Sequence, residues 1–413
     1  MNKFLFIALH LVLLEYVNAQ DVFINNGQDI VFNEGVEFIV KDGNMINDAG
    51  LIENKGLVVV EGDYVNNTIT NGGNSNSEFK IKNNWENNAT FNANGSTVAL
   101  NGTNQKITGI EETTFNNLNF ENGSVKTLET NTFVNGTLQI NDSELATDAY
   151  KMTILNPSLN ALQFNENVGF VSSSFNGRLV RNTNSMLPYV FPTGKNIGTL
   201  KYRPIMISPN TNRNNQFEVS FVNSNADSDG YSFDLRAQNI NSINSNFYHF
   251  VNQSIGNNDA QISLFYDKNT DGEWGGIAQW ESKWRSIGET SSNNSSILTE
   301  IKYNKWISNN YEPHVLVNLE ECKIALPTGF SPDGNNTNET FKVMKSCDLN
   351  SFEMKVFDRW GSLIFTSTDI NKPWDGTYKD YNVEMGVYTW VIDYTLEGST
   401  ESKQEKGSIT LIK

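Results

Sequence analysis

The chain has 413 residues, of which 38% are hydrophobic and 19% are charged, and its formal net charge is −17 with three His and two Cys. So few Cys and His exclude zinc sites built on clusters of these ligands, and an acidic chain without a basic block is unsuited to binding nucleic acid through its phosphates. The length predicts about two to four domains.

The N-terminus has the three parts of a secretory signal peptide. Lys3 precedes an apolar stretch from Phe4 to Leu14, and Val17–Ala19 supplies the small residues of a cleavage site. The apolar stretch is shorter than the about 18 residues of a membrane span, and no later stretch reaches that length. We expect cleavage after Ala19 and an exported, soluble mature chain. An uncleaved anchor is the alternative.

Residues 20–155 alternate short β-like stretches with Asn-Gly and Asp-Gly turns. The pattern aromatic-x-Asn-Asn occurs at Tyr64–Asn67 and again, 21 residues later, at Trp85–Asn88. A period near 20 favours a β-solenoid whose stacked Asn side chains hydrogen-bond along the corners, while a β-sandwich with Asn-rich loops is the alternative. The predicted strands are Asp29–Phe32, Val36–Val40, Leu57–Val60, Phe79–Lys82, Thr97–Leu100 and Thr137–Ile140.

Residues 156–318 contain more proline and more aromatic residues, and their strands are longer. This pattern predicts an antiparallel β-sandwich. The predicted strands are Phe217–Val222, Ile262–Tyr266, Ile297–Tyr303 and Val315–Leu319. Four tryptophans, Trp274, Trp280, Trp284 and Trp306, form either a platform for sugar rings or ordinary core packing.

The segment from Asp267 has the first half of a calcium loop. Asp267, Asn269 and Asp271 place oxygen atoms at alternate positions before a Gly, as a Ca²⁺ loop requires. The carboxylate that should complete the loop is missing, because Ala278 occupies its position. A turn after a strand is therefore the alternative. No cofactor is required by any other motif, and His249 and His314 lie in strand-like sequence without a catalytic motif.

Residues 322–413 contain an ordered series of motifs. Their members are Pro327, Phe330, Pro332, Gly334, Asn338, Phe341, Arg359, Trp360, Gly361, Trp374, Asp375, Gly376, Gly386, Tyr388 and Gly407. In order and spacing they resemble the gliding-motility-associated C-terminal domain, the type B sorting domain of type IX secretion cargo. The rest of the mature chain is not covered by this resemblance.

The resemblance implies an immunoglobulin-like β-sandwich of about seven strands and export across both membranes, ending in the medium or at the cell surface. It also implies two partners, the type IX translocon and an outer-membrane partner protein. The loop from Asp333 to Glu339 departs from the family pattern, with one carboxylate replaced by an amide and one Gly replaced by Asn. If this loop holds Ca²⁺ in the family, binding is expected to be weaker here. A plain turn is the first interpretation.

Cys322 and Cys347 flank that loop. In an exported protein, two such cysteines predict a disulfide, and two free thiols or a metal-binding pair are the alternatives.

These observations predict an all-β protein with a signal peptide (1–19), a β-solenoid-like region (20–155), a β-sandwich region (156–318) and a sorting domain (322–413). The predicted function is that of a secreted or cell-surface protein with a non-catalytic passenger for adhesion or for contact with a glycan or a host surface. A carbohydrate-active enzyme on a β-helix, using carboxylates, is the alternative, and a structural component of the motility apparatus or the cell-surface layer is a third possibility. An Asn- and Thr-rich solenoid face would favour the adhesin, and a groove of clustered charges would favour the enzyme.

Overall fold

The computed structural model describes residues 22–174, 176–288, 290–293, 297–307, 312–320, 323–396 and 402–412. The predicted signal peptide lies outside the described residues. Strands account for 55% of the described residues and helices for 2%, which confirms the all-β prediction. None of the described helices is long and apolar enough to cross a membrane.

The N-terminal region is a β-solenoid of about seven turns, as the repeat predicted. Its strands are β1 Phe23–Phe32, β2 Glu37–Val40, β3 Met45–Asn54, β4 Leu57–Val60, β5 Tyr64–Asn66, β6 Ile69–Gly72, β7 Glu78–Ile81, β8 Trp85–Asn87, β9 Thr90–Asn92, β10 Thr97–Leu100, β11 Gln105–Thr108, β12 Thr113–Phe115, β13 Asn117–Phe120, β14 Val125–Leu128, β15 Thr132–Val134, β16 Leu138–Asn141, β17 Glu144–Ala146, β18 Lys151–Ile154, β19 Leu162–Phe164 and β20 Phe170–Ser172, with a 3₁₀ turn at Leu159–Ala161. Strands of successive turns pair in parallel, for example β4 with β7 and β7 with β10.

Alternation within each short strand builds the solenoid interior. Every second side chain points inward, as in Val58 and Val60 of β4, and these residues are fully buried. The indole of Trp85 stacks on the Tyr64 ring at 4.8 Å and contacts the Phe115 ring at 5.3 Å, so aromatic rings fill the space between turns. The interior also holds the fully buried Lys126, whose ammonium donates to Gln105 Oε1 at 2.6 Å and to Ser124 Oγ at 3.1 Å.

Buried asparagines form a ladder inside one corner. Asn25 Nδ2 donates to Asn47 Oδ1 at 2.9 Å, Asn47 to Asn66 at 3.3 Å, and Asn66 to Asn87 at 2.8 Å. All four side chains are at most 1% exposed. Each amide therefore satisfies its neighbour where water cannot reach, as expected from the spacing of the Asn residues.

The turns between strands need glycine for two reasons. At Asn122-Gly123 both residues have positive φ, as an Asn-Gly turn requires. Gly102 has no such need, but a Cβ there would lie 1.7 Å from the carbonyl oxygen of Lys82 in the preceding turn of the solenoid. The close approach of stacked backbones is thus a second reason for the abundance of glycine.

The chain divides into two compact units. The first comprises the described residues up to Asn223, His249–Tyr266 and the segment from Lys305, and the second comprises Ser224–Tyr248, Asp267–Asn304 and the chain from Glu312. The predicted 156–318 segment therefore contributes to both units, and its bounds as a domain stay a prediction.

The central strands are mostly antiparallel, in agreement with the prediction for this region. They are β21 Arg178–Thr183, β22 Tyr189–Phe191, β23 Gly194–Asn196, β24 Leu200–Tyr202, β25 Ile205–Pro209, β26 Asn215–Val222, β27 Ile240–Ile243, β28 Tyr248–Ile255, β29 Ala260–Tyr266, β30 Gly276–Trp280, β31 Trp284–Ser286, β32 Ser291–Asn293, β33 Thr299–Trp306 and β34 Glu312–Leu319, with a helical turn α1 at Lys268–Asp271. In the first unit β22, β25 and β29 pair in order, and in the second β34 pairs with β27 and β30.

The C-terminal segment belongs to the second unit and has a five-stranded sheet in the order β36-β43-β42-β38-β39. Two short pairs, β35 with β37 and β40 with β41, complete it. Its strands are β35 Ile324–Ala325, β36 Gly329–Phe330, β37 Met344–Lys345, β38 Leu349–Phe357, β39 Leu363–Ser367, β40 Thr377–Tyr378, β41 Tyr381–Asn382, β42 Gly386–Leu396 and β43 Ser402–Leu411. One face of the large sheet covers the core, and the opposite face is largely polar.

Candidate functional site

Four motif aromatics of residues 324–411 belong to the core of this segment. Phe330, Phe341 and Trp374 are at most 1% exposed, and the ring of Trp374 contacts those of Phe330 at 5.3 Å and Tyr388 at 5.0 Å. Phe341 and Trp374 also exchange backbone hydrogen bonds of 2.7 and 3.3 Å. These four motif residues are therefore explained by the fold itself.

The residues after Trp374 fix a tight turn. The indole Nε1 of Trp374 donates to the carbonyl oxygen of Thr377 at 2.9 Å. The Asp375 carboxylate accepts the backbone N–H of Thr377 at 3.0 Å and its hydroxyl at 2.7 Å. Gly376 follows Asp375 with a φ of 81° and contacts the core. The Trp-Asp-Gly motif thus acts as a structural turn.

The remaining small and cyclic motif residues are also structural. Gly386 begins β42, and its strand brings the hydroxyl of Tyr388 to the carbonyl oxygen of Glu384 at 2.5 Å. Gly407 lies in β43 directly against the indole of Trp390, where an added Cβ would approach Cζ2 to 2.5 Å. Pro327 and Pro332 flank β36 and are half-buried.

The loop from Asp333 to Glu339 is closed by its own carboxylates. Glu339 accepts the backbone N–H groups of Gly334 at 3.0 Å and Asn336 at 2.9 Å, and Asp333 accepts that of Asn335 at 3.1 Å. The carbonyl oxygen of Asn338 accepts the Ser331 N–H at 2.8 Å. These contacts favour the interpretation of the loop as a turn.

The Arg359-Trp360-Gly361 motif is the tip of the hairpin between β38 and β39. Asp358 accepts the backbone N–H groups of Trp360 at 2.9 Å and Ser362 at 2.8 Å, and these hydrogen bonds, led by that of Ser362, lower the pKa of its carboxyl. Gly361 has a φ of 83° and donates to the Asp358 carbonyl at 3.0 Å. The guanidinium of Arg359 lies over the indole of Trp360, 5.4 Å from the ring centroid.

Trp360 differs from every other aromatic residue of the motif. It is 81% exposed, whereas Phe330, Phe341, Trp374 and Tyr388 are buried. The sequence motif alone does not distinguish the two classes.

The predicted calcium loop forms the short helical turn α1. Asp267 caps it by accepting the backbone N–H of Asn269 at 2.9 Å, and the Asp271 carboxylate accepts the N–H of Asp267 at 2.9 Å. The Asn269 residue is exposed, while Asp271 is buried. Within the described ranges no group of three or more His, Cys, Asp or Glu side chains lies close enough to hold a metal ion. Calcium binding here stays a prediction.

The two histidines of the described chain are buried strand residues. Nε2 of His249 lies 2.9 Å from the carbonyl oxygen of Arg203, and burial lowers the pKa of His249 to about 4. His314 is fully buried in β34. Of the predicted disulfide, Cys347 is 2% exposed and Cys322 lies outside the described residues, so the bridge stays a prediction.

The four tryptophans of the central region are not equivalent. Trp284 and Trp306 are core residues with at most 1% exposure. Trp280 is half-buried, and its ring meets those of Trp284 at 5.4 Å and Tyr231 at 5.5 Å. Trp274 is also half-buried, and its Nε1 donates to the Asp271 carbonyl at 2.8 Å. Core packing therefore explains two of the four.

Comparison with protein families agrees with the geometry of the C-terminal segment. Residues 324–411 match the family model of the CHU_C type IX secretion signal domain. No curated protein matches the chain. The part of the chain whose core is built from Phe330, Phe341, Trp374 and Tyr388 is therefore similar to a type IX secretion signal domain.

Proposed function

We propose that the chain is type IX secretion cargo in which residues 324–411 direct the export of a non-catalytic passenger. The match of this segment to the CHU_C type IX secretion signal domain carries the proposal. A sorting domain of this kind implies contact with the secretion machinery and a final location outside the outer membrane. The first step would be taken by the signal peptide at residues 1–19, with cleavage after Ala19.

We further propose that the passenger binds glycans or a cell surface. Support comes from an exposed row of amides and carboxylates on the solenoid, where Asn67 Nδ2 donates to Asp48 at 3.1 Å and Asn88 to Asn67 at 2.9 Å. Such a row repeats polar groups at a fixed spacing, which suits a polymer with repeated hydroxyl groups. This is the Asn-rich face that favours an adhesin.

The half-buried rings of Trp280 and Tyr231 add a second feature of a sugar-binding surface. Flat aromatic faces suit pyranose rings. The Tyr hydroxyl and the Trp indole N–H let one end of each side chain contact water while the ring contacts an apolar surface. Neither the described residues nor the family match supports the alternative of a glycan-cleaving enzyme.

Deletion of residues 324–411 tests the export proposal. We expect the truncated chain to enter the periplasm, lose residues 1–19 and remain there, while the full chain reaches the cell surface or the medium. Cell fractionation with immunodetection measures the distribution. Export of the truncated chain at the level of the full chain would contradict the proposal.

A glycan array probed with the purified mature chain tests the passenger. Binding to a defined glycan should fall about tenfold in Trp280→Ala, because an aromatic contact of this kind is worth on the order of 1–2 kcal/mol. The matched control is Tyr381→Ala, which removes an exposed ring from the sorting domain. Shortening of the glycan during incubation would instead favour the enzyme.

A further inference from the structure

The outer face of the sorting domain's large sheet has a polar end and an apolar end. At the polar end, Lys355 pairs with Glu353 at 2.7 Å and Gln404 donates to Asp393 at 2.7 Å. Such ladders of paired polar groups are typical of a sheet face that remains in water. The apolar end lies next to the hairpin between β38 and β39.

The strand register places three apolar side chains on this end of the face. Phe357 pairs with Leu363 in β39 and with Thr389 in β42. Directly opposed residues share a face, and Val387 lies two residues from Thr389 and therefore on the same face. Leu363 is 44% exposed and Val387 is 59% exposed. Together with Trp360, we name Phe357, Leu363 and Val387 the Trp360 patch.

The exposed indole of Trp360 is held in a prepared position. The Asp358 carboxylate fixes the hairpin backbone on both sides of Trp360, and the Arg359 guanidinium covers one ring face at 5.4 Å. A side chain that is already ordered loses less entropy when it enters a binding pocket. Trp and Arg are also the residue types that contribute most to the centres of protein interfaces.

Apart from Arg359, which covers the indole, the other motif residues described above have a part in the fold, but Trp360 does not. Phe330, Phe341 and Trp374 fill the core, and Gly407 makes room for Trp390. An indole that is 81% exposed adds little to folding stability and lowers solubility. Its place at the end of a largely polar face is better explained by a partner.

We propose that the Trp360 patch is the surface through which the sorting domain docks on a protein of the outer-membrane export machinery. The docking pocket would be apolar, to receive the indole, and edged by carboxylates, to pair with the Arg359 guanidinium. This inference rests on the proposed function, since a sorting domain implies contact with that machinery. Charge argues against a second copy as the occupant, because the chain carries a net charge of −17 and two copies would repel each other.

The test compares two exposed aromatic residues in the secreted full-length chain. Trp360→Ala should reduce the amount outside the outer membrane about tenfold, with the remainder held in the periplasm, because loss of a central Trp contact typically costs that much in affinity. Tyr381→Ala removes a ring that is 79% exposed on a different hairpin and should leave export unchanged. The thermal unfolding of both purified variants should match that of the unmodified chain.

Charge reversal gives an independent test. Arg359→Glu should lower export, and Arg359→Lys should retain most of it. The matched control is Lys379→Glu, because Lys379 lies 5.1 Å over the ring of Tyr378 in the same type of cation–aromatic contact. Val387→Lys adds a charge to the patch at an exposed position and should lower export as Trp360→Ala does.

The outcomes separate this inference from the proposed function. Normal export of Trp360→Ala and Val387→Lys, with retention of the chain that lacks residues 324–411, would overturn the docking surface and leave the sorting role intact. Normal export of the truncated chain would overturn both. Light scattering measures the oligomeric state of the purified chain and of Trp360→Ala. If the chain is a dimer and Trp360→Ala is a monomer, a second copy occupies the Trp360 patch, and the inference is overturned.

Discussion

Gly407 lies in the middle of β43, where any larger residue would meet the indole of Trp390. A Cβ would lie 2.5 Å from Cζ2 and 2.9 Å from Cε2 of that ring. Because Trp390 is itself part of the sorting-domain core, it has little room to move.

We predict that Gly407→Ala destabilises the sorting domain by about 1–3 kcal/mol through overpacking. Urea unfolding of the full chain, followed by Trp fluorescence, measures the change. Ser408→Ala, at the exposed neighbouring position, is the control and should have little effect. Equal stability of the two variants would show that Trp390 moves aside freely.

His249 makes stability depend on pH. Burial lowers its pKa to about 4, whereas an unfolded His titrates near its ordinary value of 6.5. The native chain therefore binds fewer protons than the unfolded chain between these values, and stability falls as the pH falls from 6.5 to 4. Relative to His249→Gln, the unmodified chain should lose about 3 kcal/mol over this window. Denaturant unfolding at a series of pH values measures the difference, and parallel curves would contradict it.

Sequence patterns predicted residue roles well where one physical cause dominates. The motif aromatics Phe330 and Trp374 are buried because a strand-rich domain of this size needs large core residues. For Trp280 and Trp284, which are close in sequence, the pattern left core and surface open, and the structure buries Trp284 and leaves Trp280 half-buried. The exposure of Trp360 was not predictable from its motif, because it depends on the hairpin that Asp358 closes.

At the scale of the element, the buried Asn ladder holds neighbouring solenoid turns together. Asn66 donates to Asn87 Oδ1 at 2.8 Å and to the Thr90 carbonyl at 3.0 Å, and it accepts from the Thr70 hydroxyl at 2.8 Å. Its loss would leave several buried polar groups without this partner.

We predict that Asn66→Ala destabilises the solenoid by about 2–4 kcal/mol, because unsatisfied buried polar groups cost about 1–3 kcal/mol each. Asn67→Ala is the control, because Asn67 is the next residue and its amide belongs to the exposed row of Asp48 and Asn88. This variant should change the free energy of unfolding by less than about 0.5 kcal/mol. Chemical unfolding followed by circular dichroism compares the two. A similar loss in both would show that burial is not what makes the ladder stabilising.

The predicted Cys322–Cys347 bridge would close a loop at the start of the sorting domain. In the chain-entropy model, a disulfide that closes a loop of this size raises the free energy of unfolding by about 3 kcal/mol. We expect the exported chain, denatured without reductant, to take up no alkylating reagent, and the reduced chain to take up two groups by mass spectrometry. Two modified thiols without reduction would reject the bridge.

Many of the strands were predictable because they are short and are bounded by Asn-Gly or other turn residues. Leu57–Val60 and Thr97–Leu100 have the predicted bounds, and Phe217–Val222 lies within β26, which begins two residues earlier. The helical turn α1 was not predicted. It is fixed by two local hydrogen bonds, from the Asp267 N–H to the Asp271 carboxylate and from the Asn269 N–H to the Asp267 carboxylate. Neither a metal loop nor a hairpin turn requires these two bonds. Local side-chain hydrogen bonds decide such turns, and the pattern of residue types does not fix them.

For the whole molecule, the sequence predicted the order of the regions along the chain better than the way the chain divides into compact units. The solenoid and the sorting domain each have a repeat or a motif series, and both are present as expected. The central region has neither, and its strands belong to two compact units in a discontinuous order that no local pattern signals. The pairing of strands far apart in the chain depends on how their side chains pack against neighbouring strands. The alternation of apolar and polar residues within one strand does not determine that packing.

The register of the strands also sets an order of events in folding. Neighbouring solenoid turns pair residues about 20 positions apart, whereas Phe330 in β36 pairs with Leu411, about 80 positions away. Closing a longer loop costs more entropy before any contact forms, so pairs of low sequence separation close sooner. The two-residue strand Gly329–Phe330 is therefore expected to be the last to join its sheet, and the sorting domain would reach its recognisable form after the solenoid has already closed.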